Sequence, residues 1–176
     1  MFVNGQYSQA LSSRPAETNG VRIASLTEAV VSDRPELERH LARYASTEDD
    51  GFTALNTAFL RDGAYVHIPE GESMDSPLNI IFVSTGDEEP VVSHPRVLVV
   101  AGPRSKSTLI ESYVGIERNR YFTNSVTEII VEDGAEVDHY RLLAESDDAF
   151  HVGTARVHQS DNSKFSSIAF AKSAAL

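Results

Sequence analysis

From Ala64 onward the chain repeats one pattern, and that pattern limits the folds open to it more than any other feature. Four segments lie under one another: "AYVHIPEGESMDSPLNIIF", "RVLVVAGPRSKSTLIESYV", "TEIIVEDGAEVDHYRLLA" and "ARVHQSDNSKFSSIAF". Each reads as an apolar strand, a polar turn and a second strand. The turn residues Gly71, Gly102, Gly134 and Asn162 are separated by 31, 32 and 28 positions, with little identity between units. A sustained period of this length predicts a mainly β chain coiled as a parallel β-helix (β-solenoid), in which each turn stacks on the next and inward side chains form a continuous ladder. Gly or Asn would supply the positive φ at the corners. On this reading Val97 to Val100, Ile129 to Val131 and Ile168 to Phe170 belong to stacked strands with alternate residues pointing inward. Strand-turn-strand units also make hairpins, so a two-sheet sandwich is the competing architecture.

The residues before the repeat carry different signals. Asn4, Gly5, Pro15, Asn19 and Gly20 punctuate short apolar runs, which predicts a hairpin or irregular extension. Ser25 with Glu28 fits a capping box, and Asp33 with Glu36 fits a second, with Pro35 tolerated in the first turn. Leu37, Leu41 and Tyr44 follow at helical spacing. After "TEDDG", Phe52, Leu55 and Phe59 mark another helix, with Gly63 placed where it would stop. The expected organisation is a short helical and irregular N-terminal segment over 1–63 and a partial β-helix core over 64–176.

Composition narrows the function classes. A chain of 176 residues with 41% hydrophobic residues can bury one ordinary core. A formal charge of -11 without a local Lys/Arg cluster opposes binding to phosphate backbones, so nucleic acid is not an expected partner. The absence of cysteine removes disulfides, thiolate nucleophiles and thiolate-held clusters from this chain. No apolar run is long enough to span a bilayer, and the first twenty residues lack the basic and apolar regions of an export signal. No membrane partner is expected, and the expected compartment is the cytoplasm.

The segments that look chemical have plainer readings. "GPRSKST" (Gly102 to Thr108) lacks the second glycine and the following helix of a phosphate loop and is read as a solvated turn. No G-x-S-x-G elbow gives Ser105 or Ser107 a nucleophile context. His139, His151 and His158 would converge only if successive turns stack, and no close pair such as H-x-H fixes two imidazoles on one face, so structural or surface roles are preferred. His40, His67 and His94 fall in a helix, a strand and a pre-proline loop. Glu128, Glu132, Asp133, Glu136 and Asp138 could supply the paired carboxylates of a glycosidase, but alternation places several on an outer sheet face where they serve solubility. No catalytic, cofactor-binding or metal residue is assigned.

The blocks "GFTALNTAFLRDGAYVHIPEG", "RVLVVAGPRSKSTLIESYVG", "YFTNSVTEIIVEDGAEVDHYRLLAES" and "AFHVGTARVHQSDNSKFSSIAFA", with "FVNGQYSQALS" near the start, closely resemble the SufD branch of the SufB/SufD family of iron-sulfur cluster assembly proteins. The resemblance runs from Phe2 to about Ala171. It implies a right-handed parallel β-helix and a non-catalytic scaffold subunit, paired with a SufB-like scaffold and docked on a SufC-like ATPase that uses the ATP. The complex builds the nascent cluster; no cofactor is expected within this chain. It leaves His139 and His151 without an assigned role, since no family motif makes them cluster ligands.

Relative to that family the chain stops inside the β-helix, which suggests an incomplete fragment. Ile168 and Phe170 are then expected to be available for burial at an uncapped end, with self-association through it and no replacement of a full-length scaffold. A β-helical carbohydrate-active enzyme is the alternative function, disfavoured by the absence of tryptophan and of a catalytic motif.

Overall fold

The computed structural model describes residues 1–13, 20–48, 50–86, 90–116 and 120–173; the predicted turn residues Pro15 and Asn19 lie outside them. Each repeated segment folds as strand, corner, strand. The pairs are β4 (Gly63–Ile68) with β5 (Leu78–Ser84), β7 (Arg96–Ala101) with β8 (Lys106–Gly115), β9 (Tyr121–Val131) with β10 (Glu136–Ala144), and β11 (Phe150–Gln159) with β12 (Lys164–Ser173). The two strands of a unit do not pair with each other. First strands stack in one sheet in the order β11-β9-β7-β4, and second strands stack in the other as β12-β10-β8-β5. Every one of these pairings is parallel. Hairpins would pair antiparallel within a unit, so the sandwich is excluded and the chain is a parallel β-solenoid.

The corners explain the period, with one change of residue. Positive φ falls at Gly71, Arg104, Gly134 and Asn162. At the second corner Arg104 takes the left-handed position expected of Gly102. Gly102 serves close approach instead, because a Cβ there would stand 2.8 Å from the Ile68 carbonyl oxygen of the neighbouring turn. Gly63, expected to stop a helix, opens β4.

The lumen between the sheets is filled from both sides. Val66, Ile68, Val97, Val99, Ile129 and Val131 meet Ile80, Phe82, Leu109, Tyr113 and Val137 in one buried cluster. Stacked rings run through it, Phe2 on Phe82 at 5.0 Å and Phe82 on Tyr113 at 5.0 Å. Phe2 enters from the predicted hairpin, in which β1 (Phe2–Val3) pairs with β2 (Gln6–Tyr7) around Asn4 and Gly5. β1 also adds in parallel to β5, and β3 (Arg22–Ser25) adds antiparallel to β4, so the first turn presents no bare edge at these strands.

Short helices cover the outer face of the β4-β7-β9 sheet. α1 (Leu26–Ser32) starts at the predicted capping box, with Ser25 Oγ accepting from the Glu28 N–H at 3.1 Å and Glu28 Oε2 accepting from the Ser25 N–H at 3.0 Å. α2 (Arg34–His40) carries Pro35 in its first turn, but Asp33 does not cap it. The Asp33 carboxylate accepts from Tyr65 Oη at 2.7 Å and pairs with Arg22 at 2.5 Å, tying the helix to β3 and β4. α3 (Gly51–Ala58) buries Thr53 and Asn56, leaving Phe52 and Phe59 exposed. The predicted apolar stripe is therefore only partly covered, with Phe52 edge-on to Phe122 of β9 at 6.2 Å and Phe59 stacked on His94 at 5.6 Å. Asn56 wins the interface because its Nδ2 donates to the Pro95 and Asn124 carbonyls at 3.0 and 2.8 Å, main-chain acceptors that an apolar side chain would leave unpaired.

This helical cover sets the sequence texture of the strands. Leu26, Ala29 and Leu37 pack on Tyr65, Leu98, Val100 and Ile130, so β7 is buried on both faces and reads as a continuous apolar run. β8 and β10 have one bare face and alternate. On that bare face Ile168 and Phe170 stand opposite Tyr140 and Leu142, and all four are exposed. Ile168 and Phe170 are thus exposed, as expected of residues available for burial, but on the outer face of the sheet, while Phe165 of β12 packs against the lumen.

Candidate functional site

Along β8, β9 and β10 the inward phase changes from apolar to polar. Leu109 is followed two residues on by Glu111, Ile129 is preceded by Thr127, and Val137 is followed by His139 and Arg141. The Glu111 carboxylate is 1% exposed and accepts from four side chains. Tyr113 Oη and Thr127 Oγ1 donate at 3.0 Å each, Arg141 Nη2 at 3.3 Å and His139 Nε2 at 3.0 Å. Thr127 Oγ1 in turn accepts from Arg141 Nη2 at 2.9 Å. Burial alone would raise the Glu111 pKa, but the Arg141 charge and the His139 hydrogen bond outweigh it and hold the group at about 2. Burial and the Glu111 charge push the Tyr113 hydroxyl well above its ordinary value, so it stays a donor.

A second buried pair adjoins the first. His151 Nδ1 lies 2.8 Å from Glu145 Oε2, Thr123 Oγ1 donates to Glu145 Oε1 at 3.2 Å, and His151 Nε2 meets Ser125 Oγ at 3.1 Å. The His151 ring stands edge-on to Tyr113 at 4.7 Å, which joins the two pairs into one network. His139 Nδ1 reaches Ser167 Oγ at 3.1 Å, so in both histidines each ring nitrogen has a protein partner. The arrangement brings His139 and His151 into one lumen but leaves His158 outside, stacked on Tyr44 at 4.8 Å.

A third buried charge lies on the opposite side of the sheet. Glu128, expected on a solvated face, is fully buried beneath the helices with Arg96. Arg96 Nη2 and Nε donate to Glu128 Oε2 at 2.6 and 3.1 Å. The backbone N–H groups of Ala42, Tyr44 and Ala45 donate to the same carboxylate at 2.9, 3.0 and 3.0 Å. Alternation alone allows an outer-face position for it; what the sequence does not show is that the segment after α2 folds over that face. Of the other carboxylates considered, Asp133 and Asp138 are exposed, Glu132 is half-buried, and Glu136 sits between Lys106 and Lys164 at 3.3 and 3.0 Å. The "GPRSKST" segment is a corner and the start of β8, with no helix. Ser105 and Ser107 are buried while Arg104 and Lys106 face solvent, so it is only partly the solvated turn expected.

Glu111, Arg141 and Glu145 do not stand out in the sequence as site residues. Phase was the available signal for the first two, since Glu111 shares its strand face with Leu109 and Tyr113, and Arg141 shares one with Val137. Among the described residues no group of three or more His, Asp or Glu is placed to hold a metal ion. The Glu111 carboxylate and both imidazoles of the buried network are engaged by internal partners, while Arg141 Nε is buried without one; links that cross from strand to strand suit the network to fixing register between turns.

Comparison with known proteins gives two consecutive family matches. The SufBD protein N-terminal region model matches residues 1–80, and the SUF system FeS cluster assembly, SufBD core domain model matches residues 82–176. An iron-sulfur cluster assembly SufBD family protein of Synechocystis is 32% identical over 94% of this chain and 38% of its own length. The chloroplastic protein ABCI7 of Arabidopsis thaliana is 30% identical over 74% of the chain and 29% of its own length. The iron-sulfur cluster assembly protein SufD of Bacillus subtilis is 26% identical over 52% of the chain and 21% of its own length. The chain thus spans less than two fifths of the length of each of these relatives.

Proposed function

This chain belongs to the SufBD family, and on that premise we propose that it is a SufD-like, non-catalytic scaffold component of iron-sulfur cluster assembly. The observation that carries the reading is the unbroken succession of the two family matches along a chain folded as a β-solenoid. The proposed partners are a SufB-like scaffold and a SufC-like ATPase, and the proposed compartment is the cytoplasm. No helix among the described residues is long and apolar enough to cross a membrane.

The nascent cluster is cargo, and the donor set of this chain argues against its holding that cargo alone. There is no thiolate, and the ring nitrogens of His139 and His151 are engaged with Glu111, Ser167, Glu145 and Ser125. The soft ligands would come from the partner scaffold. The carbohydrate-active alternative is not favoured: among the described residues the inward-facing Glu111 and Glu145 and the covered Glu128 are buried with their own partners and out of reach of a polysaccharide.

Anaerobic incubation with iron and sulfide tests the reading. The chain alone should show no cluster absorbance after desalting, and a mixture with the SufB-like and SufC-like proteins of the same organism should carry the chain into a co-eluting complex. A cluster retained by the chain alone and lost in His139→Ala or His151→Ala contradicts the assignment of those residues. Failure to associate with either partner contradicts the scaffold role.

A further inference from the structure

We propose that the cleft between the Asn4–Gly5 turn, α3 and β6 (Val91–Ser93) is a binding site for a small apolar carboxylate. The cleft has a volume of about 360 Å³ and is walled by Leu55, Phe59, Val92, His94 and Phe122, with Arg61 among its lining residues. That size suits a small ligand, and concave apolar walls with a few polar groups are the usual form of such sites. Phe59 and Val92 are 59% and 56% exposed. Phe59 stacks on His94 at 5.6 Å, and His94 meets the edge of Phe122 at 6.5 Å, so the walls form an ordered aromatic panel.

Arg61 and His94 line the cleft together with Asn4 and Ser93, and the state of His94 is set by Asn124 behind it. Asn124 Nδ2 donates to the Phe52 carbonyl at 2.8 Å, which fixes the nitrogen end of that amide. The same nitrogen lies 3.3 Å from His94 Nδ1, so Nδ1 accepts and the ring hydrogen sits on Nε2. Burial lowers the His94 pKa and favours this neutral form. Arg61 is exposed and has no acidic partner among the described residues; Arg43, Arg120 and Arg156 share that state, but only Arg61 of these lines the cleft. The adjacent Asp62 does not neutralise it, being committed to the backbone N–H groups of Tyr7, Thr27 and Gly63. An unpaired guanidinium that lines the same cleft as the His94 ring and the aromatic walls complements a planar anion with an apolar body. A phosphate would find one cation and mostly hydrocarbon. The carboxylate could be that of a free acid or of a polypeptide C-terminus ending in an apolar residue, which present the same chemistry.

Titration of the whole chain with 3-phenylpropionate, followed by the ring proton signals of His94 and Phe59, tests the site. Saturable binding is expected, with 3-phenylpropionamide at least about tenfold weaker. Arg61→Gln, a surface change whose fold is checked by circular dichroism, should abolish the difference between acid and amide, and Phe59→Ala should weaken both. The acid and amide comparison on the unaltered chain decides the matter even if a variant misfolds. Tighter binding of Ala-Ala-Phe with a free C-terminus than of 3-phenylpropionate assigns the site to a polypeptide end, and the reverse order assigns it to a free acid. No saturable shift, equal binding of acid and amide, or unchanged selectivity in Arg61→Gln overturns the proposal.

Discussion

Replacing Glu128 by alanine is expected to lower the free energy of unfolding by about 3–5 kcal/mol, a large part of what a domain of this size has. Deletion of the carboxylate leaves the Arg96 guanidinium buried with only Asn56 Oδ1 and Thr57 Oγ1 as acceptors, at 3.1 and 3.2 Å. It also leaves the N–H groups of Ala42, Tyr44 and Ala45 without their acceptor. The effect should be greatest where the segment after α2 crosses the sheet, so amide exchange in residues 41–45 should accelerate before that in β7 and β9. Changing Arg96 to methionine in the Glu128→Ala background should recover part of the loss, because the unpaired charge is then gone. Urea denaturation of the two single variants and the double variant measures the coupling. A loss below about 1 kcal/mol, the size of an exposed pair, would show that the clamp contributes little.

The lumen should show itself through pH. The Glu111 carboxyl titrates lower in the folded chain than its ordinary 4.5, at about 2. A depressed carboxylate contributes stability that is full above the unfolded value and is lost as pH falls through the folded value. Stability should therefore decline between pH 4.5 and about 2, with Glu111 accounting for roughly 3 kcal/mol of that decline. Glu111→Gln keeps the shape and one acceptor but removes the charge facing Arg141. It should lose stability of that order at neutral pH and flatten the acid branch. Denaturation of both forms across this range gives the answer, and parallel acid branches would mean that other carboxylates carry the effect.

These two clusters also mark where the sequence stopped being informative. The solenoid was legible because its corners recur and its strands are β-branched, and both signals can be read along the chain without knowing which segments touch. The capping box at Ser25 and Glu28 was legible for the same reason. What decides the face that α3 buries is not local: Asn56 is chosen by the Pro95 and Asn124 carbonyls, 39 and 68 residues away, against the apolar pattern of Phe52 and Phe59. Glu128 likewise reads as a surface acid until the chain from Ala42 to Ala45 is laid over it. Glu111 and Arg141 were within reach, since both occupy an inward phase already marked by Leu109, Tyr113 and Val137. The histidines needed the stacked turns, because Glu111 reaches His139 and Ser125 reaches His151 only across neighbouring strands.

The role in cluster assembly is tested most directly by removing the gene that encodes this chain from its host and assaying aconitase under iron limitation, normalised to aconitase protein. Reduced specific activity is expected, restored by reintroducing the gene and by adding a preformed cluster to the extract. Unchanged aconitase activity in the deletion strain would contradict it.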